Sequence, residues 1–118
     1  MNKLRVGLVS DLPPGSRAIV DTGRMKVGVF NVDGAFHAIP NMCVHQWGPV
    51  CQGNVTGTLE ADAADDWNLR WTREGRIIIC PWHAAEYDLT SGECLSFPGR
   101  RLRKYAVTID ANEVFVEV

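Results

Sequence analysis

Two short cysteine–histidine pairs constrain this chain more than anything else in it. "CVHQWGPVCQG", residues 43 to 53, sets Cys43 and His45 one residue apart in a stretch rich in Gly and Pro. "CPWH", residues 80 to 83, sets Cys80 and His83 two residues apart behind Pro81. Thiolate and imidazole are good ligands for iron and zinc. Two such pairs, distant in sequence, make two loops that can close over one centre, each giving one sulfur and one nitrogen. Gly48, Pro49, Gly53 and Pro81 let the backbone approach that centre and turn amide N–H groups towards sulfur.

Size and composition fit this reading. A chain of 118 residues suits one domain and one real core. An apolar share of 46% and a charged share of 22% are ordinary for a globular protein. A net charge of −2 gives no basic footprint for nucleic acid. No apolar run is long enough to span a membrane. The opening "MNKLRVGLVSDLPPG" has neither the apolar core of a secretory signal nor twin arginines, so a cytoplasmic location is expected. In a reducing cytosol four cysteines are less suggestive of two disulfides, and metal binding is the preferred reading for Cys43 and Cys80. Cys51 and Cys94 read as buried small hydrophobes, with a disulfide between them as the alternative.

The rest of the chain reads as short strands punctuated by turns. Strands are expected over 4–9, 17–23, 25–32 and the "AFHAI" run, with Asp33-Gly34 as a hairpin turn. "NVTGTLE" reads as a weak strand, and Trp67, Leu69 and Trp71 alternate with polar neighbours in a period of two. "REGR" is expected to turn the chain. "RIIIC" then leads to the second pair, "EYDL" and "CLSF" read as strands around the turn "TSGE", and "KYAVTIDANEVFVEV" reads as a closing hairpin. "LEADAADD" is too short and too acidic to be assigned to a helix. Many short strands at close spacing predict an all-β chain, an antiparallel sandwich or barrel.

At this point the residues resemble a known family. Cys43-x-His45 followed by Cys80-x-x-His83 resembles the Rieske iron–sulfur motif. "CVHQWGPVCQG" and "CPWHAAEYDLTSGECL" are similar to its two cluster loops, and "LPPGSR" and "FNVDGAFHAI" also resemble Rieske ferredoxins. The resemblance implies a [2Fe–2S] cluster with Cys43 and Cys80 on one iron and His45 and His83 on the other. It implies an all-β fold in which a small cluster-binding subdomain, 42–89, is inserted in a base built from 1–41 and 90–118. It further implies a soluble one-electron carrier, taking electrons from a flavin-dependent reductase and passing them to a terminal oxygenase. Neutral imidazole in place of thiolate lowers the cluster's negative charge. It raises the potential to roughly −150 to +300 mV, from about −400 mV for an all-cysteine plant-type cluster.

Departures from the family pattern narrow the subtype. Gly48 and Trp82 stand where cytochrome bc-type members carry a disulfide, so that bridge is not expected. Ala85 replaces a serine that donates to the cluster in high-potential members, which points to the lower half of the range. Tyr87 is placed to reach a ligand sulfur and works the other way. Ala84 replaces the usual Gly. The segment between the two pairs is longer than in most such ferredoxins, and its extra residues, about 58 to 75, are expected to form an additional hairpin.

Other readings stand beside these. A structural zinc site could use the same four side chains, giving a colourless binding module. A small subunit of a larger reductase, such as assimilatory nitrite reductase, would share the resemblance. A catalytic oxygenase would need a mononuclear iron with two further histidines, and only His37 remains, so the chain is not expected to be an enzyme. His37 reads as a surface or satisfied histidine rather than a ligand. Trp47 and Trp82 could shield the cluster, meet a partner or simply pack. Trp67 and Trp71 are expected to pack the inserted hairpin. "GRRLRK" at 99–104 and "LEADAADD" read as solvated charged faces, with docking to charged partners as the functional alternative.

Overall fold

The computed structural model describes residues 2–43 and 47–118; His45 lies outside them. Nine strands form three three-stranded antiparallel sheets among the described residues. They are β1 (Lys3–Leu8), β2 (Arg17–Asp21), β3 (Lys26–Val32), β4 (Ala35–Pro40), β5 (Asn54–Glu60), β6 (Arg70–Ile79), β7 (Glu86–Asp88), β8 (Val107–Asp110) and β9 (Glu113–Glu117). The sheet orders are β1-β9-β8, β2-β3-β4 and β5-β6-β7. No helix among the described residues is long and apolar enough to cross a membrane.

Two tight turns set the register of two sheets. Asp33 and Gly34 have φ of 52° and 95°, and Ala111 and Asn112 have φ of 51° and 65°. Two consecutive left-handed residues are what a type I′ hairpin requires, and its twist matches that of the strands it joins. Val32 therefore pairs with Ala35, and Asp110 with Glu113.

The sheet β2-β3-β4 lies between two apolar cores. Val27, Val29 and Ala38 pack with Leu12, Val114 and Val116. Phe30, Val32 and Ile39 instead join a second cluster with Cys43, Val50, Cys51, Ile78, Cys80 and Tyr87. Successive side chains of a strand point to opposite faces, so β3 is apolar on both sides because both sides are covered. The second core is thus built jointly by the middle sheet, the two cysteine loops and the sheet β5-β6-β7.

Two expectations are corrected. "REGR" does not end a strand: β6 runs unbroken from Arg70 to Ile79. Thr56 pairs with Ile77 but Thr58 pairs with Thr72, so residues 73–76 form a wide bulge opposite Gly57. The turn-like composition is accommodated inside the strand, with Arg73 at φ 55° and Gly75 at φ 80°. "CLSF" is not a strand; Cys94 makes only an isolated bridge to Tyr87. Of the two tryptophans expected to pack the hairpin, Trp71 lies with its ring against Gly57 of β5 while 55% exposed, and Trp67 is 68% exposed. The extra residues do form a hairpin, as the outer half of β5–β6, where Leu59 pairs with Trp71 and Glu60 with Arg70. In place of a helix, "LEADAADD" contains one 3-10 turn, Ala63–Asp65, capped by the Asp62 carboxylate.

Candidate metal centre

Cys43 follows β4 and Cys80 follows β6, and both sulfur-bearing residues are only 1% exposed. The two loops close in the same way despite their different histidine spacing. The Cys43 N–H donates to the Gly48 carbonyl and the Trp47 N–H to the Cys43 carbonyl, each at 2.8 Å. The Cys80 N–H donates to the Ala85 carbonyl and the Ala84 N–H to the Cys80 carbonyl, each at 2.9 Å. In each loop the fourth residue after the cysteine is left-handed: Trp47 at φ 64° and Ala84 at φ 56°. The family's glycine at Ala84 therefore answers a backbone demand, which alanine meets at a steric cost of about 1–2 kcal/mol. Part of this is returned because alanine restricts the unfolded chain. Ala84→Gly is accordingly expected to raise stability by about 0.5 kcal/mol, a rise of roughly 2–4 °C in Tm by thermal melting of this small domain.

The loops lean on each other through small residues. A Cβ added to Gly48 would come within 2.8 Å of the Trp82 ring and 3.1 Å of Cys80 Sγ. A Cβ on Gly53 would lie 1.8 Å from the Ile79 carbonyl, directly before Cys80. The first loop is also tied to the middle sheet. Arg17 donates to the carbonyls of Cys51 (2.8 Å) and Gly53 (2.5 Å), its guanidinium 5.4 Å from the centroid of the Phe30 ring. Asn41 Oδ1 accepts from the Cys51 N–H at 2.8 Å.

The sulfurs are buried side by side, with polar groups directed at each. Tyr87 Oη lies 2.8 Å from Cys43 Sγ, as the sequence reading expected of that hydroxyl. Burial raises the Cys80 thiol above its ordinary pKa, and Cys43 beside it raises it further, while the amides of Trp82 and His83 pull the other way. Two neighbouring thiolates are costly alone and become favourable when they share a bound cation. The donor set therefore fits an iron–sulfur group: two buried sulfurs side by side, amide N–H groups on one and a hydroxyl on the other.

The two cysteines come together; the full set of four is not displayed. His83 is exposed on the turn after Cys80, and His45 is outside the described residues. Among the described residues no three His, Cys, Asp or Glu side chains gather as a metal site. Cys51 and Cys94 are buried free thiols. Burial pushes the Cys51 pKa up to about 12, against the opposing pull of the Gly28 amide and Arg17. A raised thiol pKa keeps Cys51 protonated and unreactive. It is expected to resist alkylation in the native protein at pH 8 and to react once the protein is unfolded, as peptide mass mapping would show.

Trp47 (68% exposed) and Trp82 (57% exposed) stand out to solvent beside the cysteine loops. The sequence drew attention to both but not to Arg17 or Arg73, whose roles depend on contacts across the fold. His37 Nδ1 lies 2.7 Å from Lys104 Nζ, which also donates to the Thr90 carbonyl at 2.5 Å. Burial, and then the Lys104 charge, lower the His37 pKa. It is a half-buried, hydrogen-bonded histidine, within the surface or satisfied role that the sequence suggested.

Comparison with known proteins agrees with this geometry. Residues 2–106 match the family model of the Rieske [2Fe-2S] domain. The chain belongs to the Rieske [2Fe–2S] domain family, whose cofactor is a [2Fe–2S] cluster. It is 30% identical over 122 aligned positions to the 3-phenylpropionate/cinnamic acid dioxygenase ferredoxin subunit of Shigella boydii, covering 100% of this chain and 95% of that one. Its fold is similar to Sphingomonas yanoikuyae B1 ferredoxin, with a TM-score of 0.71, 27% identity and 99% of each chain covered. It is also similar to a chain in the complex of reduced oxygenase and oxidized ferredoxin of carbazole 1,9a-dioxygenase, with a TM-score of 0.73 and 25% identity. That match covers 97% of this chain and 91% of the other.

Proposed function

We propose that this protein is the one-electron carrier of an oxygenase system, taking electrons from a flavin-dependent reductase and delivering them to a terminal oxygenase. The observation that carries the reading is the pair of buried sulfurs on matched loops, set beside exposed Trp47 and Trp82. A redox centre close beneath an aromatic surface can exchange electrons with a docked protein. The full-length likeness to dioxygenase ferredoxin subunits supports the same role. Cys43 and Cys80 would hold one iron of the cluster, and His45 and His83 the other. Residues 42–89 form the cluster-carrying unit on a base of 1–41 and 90–118.

When bound, the cluster supplies a reversible one-electron couple. The protein's own residues do the rest. The loop amides and Tyr87 offset charge on the sulfurs, favouring the reduced, more negative form. The second core excludes water from the sulfurs, and the closed loops limit rearrangement on electron transfer. Trp47 and Trp82 give the exchange surface an apolar rim.

The test is transfer between separate proteins. With a purified NADH-dependent dioxygenase reductase, catalytic amounts should reduce the cluster. A terminal oxygenase should then reoxidise it at one electron per chain, followed optically. Tight co-purification with a large haem-containing chain, without transfer by the free protein, would instead make it a fixed reductase subunit.

A further inference from the structure

Tyr87 sits on the shortest strand of the fold, β7, and both of its neighbours are held by the hairpin opposite. On one side Thr58 Oγ1 donates to Glu86 Oε1 at 2.6 Å. On the other, Asp88 is only 3% exposed and accepts from Arg73 Nη1 at 3.0 Å and from the Thr90 amide at 2.8 Å. Arg73 also bonds Glu60 at 2.6 Å and approaches Glu93 at 3.5 Å. It can do so because it lies in the bulge, where its left-handed backbone departs from the alternation of the strand. Thr58, Glu60 and Arg73 all fall in the inserted segment.

We propose that Arg73 and Thr58 are positioning residues that clamp β7 from both flanks, hold the Tyr87 hydroxyl on Cys43 Sγ, and so set the reduction potential of the cluster. A hydrogen bond to sulfur stabilises the reduced form more than the oxidised, but only while its geometry is kept. The ladder to Ile77, Ile78 and Ile79 and the bridge from Tyr87 to Cys94 hold the main chain of β7, and the bonds from Thr58 and Arg73 add side-chain tethers at both of its ends. The insertion is thereby a structural support for the ligand environment, and its sequence becomes a means of tuning the potential. This rests on Cys43 being a cluster ligand.

The test is a pair of double-mutant cycles read as midpoint potential in the reconstituted protein. Tyr87→Phe, Arg73→Met and Thr58→Val are each expected to lower the potential. Each of the two positioning variants should change the reduced-to-oxidised ratio at fixed potential about threefold, or roughly 28 mV at 59 mV per decade. In the Tyr87→Phe background both shifts should vanish, because nothing remains to be positioned. An undiminished shift there, or none in the parent, overturns the proposal, since Arg73 would then act only through its charge or not at all. Thr58→Val alters no formal charge, so it decides the matter even if Arg73→Met does not fold. A normal Rieske spin-resonance spectrum with additive shifts refutes the clamp alone; loss of that spectrum in the unmutated protein refutes the functional reading beneath it.

Discussion

Cys80→Ala is expected to yield a colourless protein that retains neither iron nor acid-labile sulfide, whereas Cys51→Ala should remain coloured. Both cysteines are buried in the same core. Only Cys80 has Cys43 beside it and the amides of Trp82 and His83 directed at its sulfur. The Cys51 thiol instead bonds weakly to the carbonyls of Ile39 and Pro40, at 3.7 and 3.6 Å. A bridging cluster bound only by the native state adds its binding energy to folding, so its loss should also destabilise the chain well beyond a local cavity. Cys51→Ala removes one buried sulfur and should cost about 1–2 kcal/mol. Metal and sulfide analysis, with chemical denaturation of both variants, checks the contrast. Equal loss of colour would mean that Cys51 takes part in the site.

The next largest effect is expected at Gly53. A methyl there meets the Ile79 carbonyl at 1.8 Å, a main-chain atom that cannot rotate away. Asn54 pairs with Ile79 in the β5–β6 ladder, and Gly53 also offers its carbonyl to Arg17. Gly53→Ala must therefore part the two loops, weaken the start of the ladder and loosen the Arg17 tether together. A loss of roughly 3 kcal/mol or more is expected, at the upper end for overpacking a filled site. Cluster occupancy should fall with it, since Ile79 is bonded directly to Cys80. A wild-type denaturation midpoint with full iron content would show that the loops do not depend on this contact.

Acid should unfold the chain partly through Asp88. Burial favours its neutral form, but the Thr90 hydroxyl and amide, Arg76 and Arg73 outweigh it and hold its pKa below the ordinary carboxylate value. A depressed folded pKa gives stability that is present above the unfolded pKa and lost as pH falls through the folded one. Asp88→Asn should be less stable at neutral pH and show a shallower decline in acid, measured as denaturation midpoint against pH.

What was legible in the sequence was local in origin. The hairpins at Asp33-Gly34 and Ala111-Asn112 follow from turn chemistry and alternation, and both type I′ turns lie where those patterns put them. Asn54–Glu60 is a strand over the whole of the stretch read as one. The cysteine loops were visible because ligand spacing and small residues must recur together. Misreadings arose where distant contacts decide. "REGR" has the composition of a turn, yet ion pairs from Arg73 to Glu60 and Asp88 stabilise it as a bulge within β6. "CLSF" follows a turn and reads as a strand, but only Cys94 finds a bridge partner in that run.

The proposed function requires that Cys43, His45, Cys80 and His83 together hold two irons joined by sulfide, and spin resonance of the reduced protein with iron and sulfide analysis addresses that most directly. Two irons and two sulfides per chain, with hyperfine coupling to two histidine nitrogens that diminishes in His45→Ala or His83→Ala, is the expected result. Zinc in place of iron, with no acid-labile sulfide in anaerobically reconstituted protein, would contradict it.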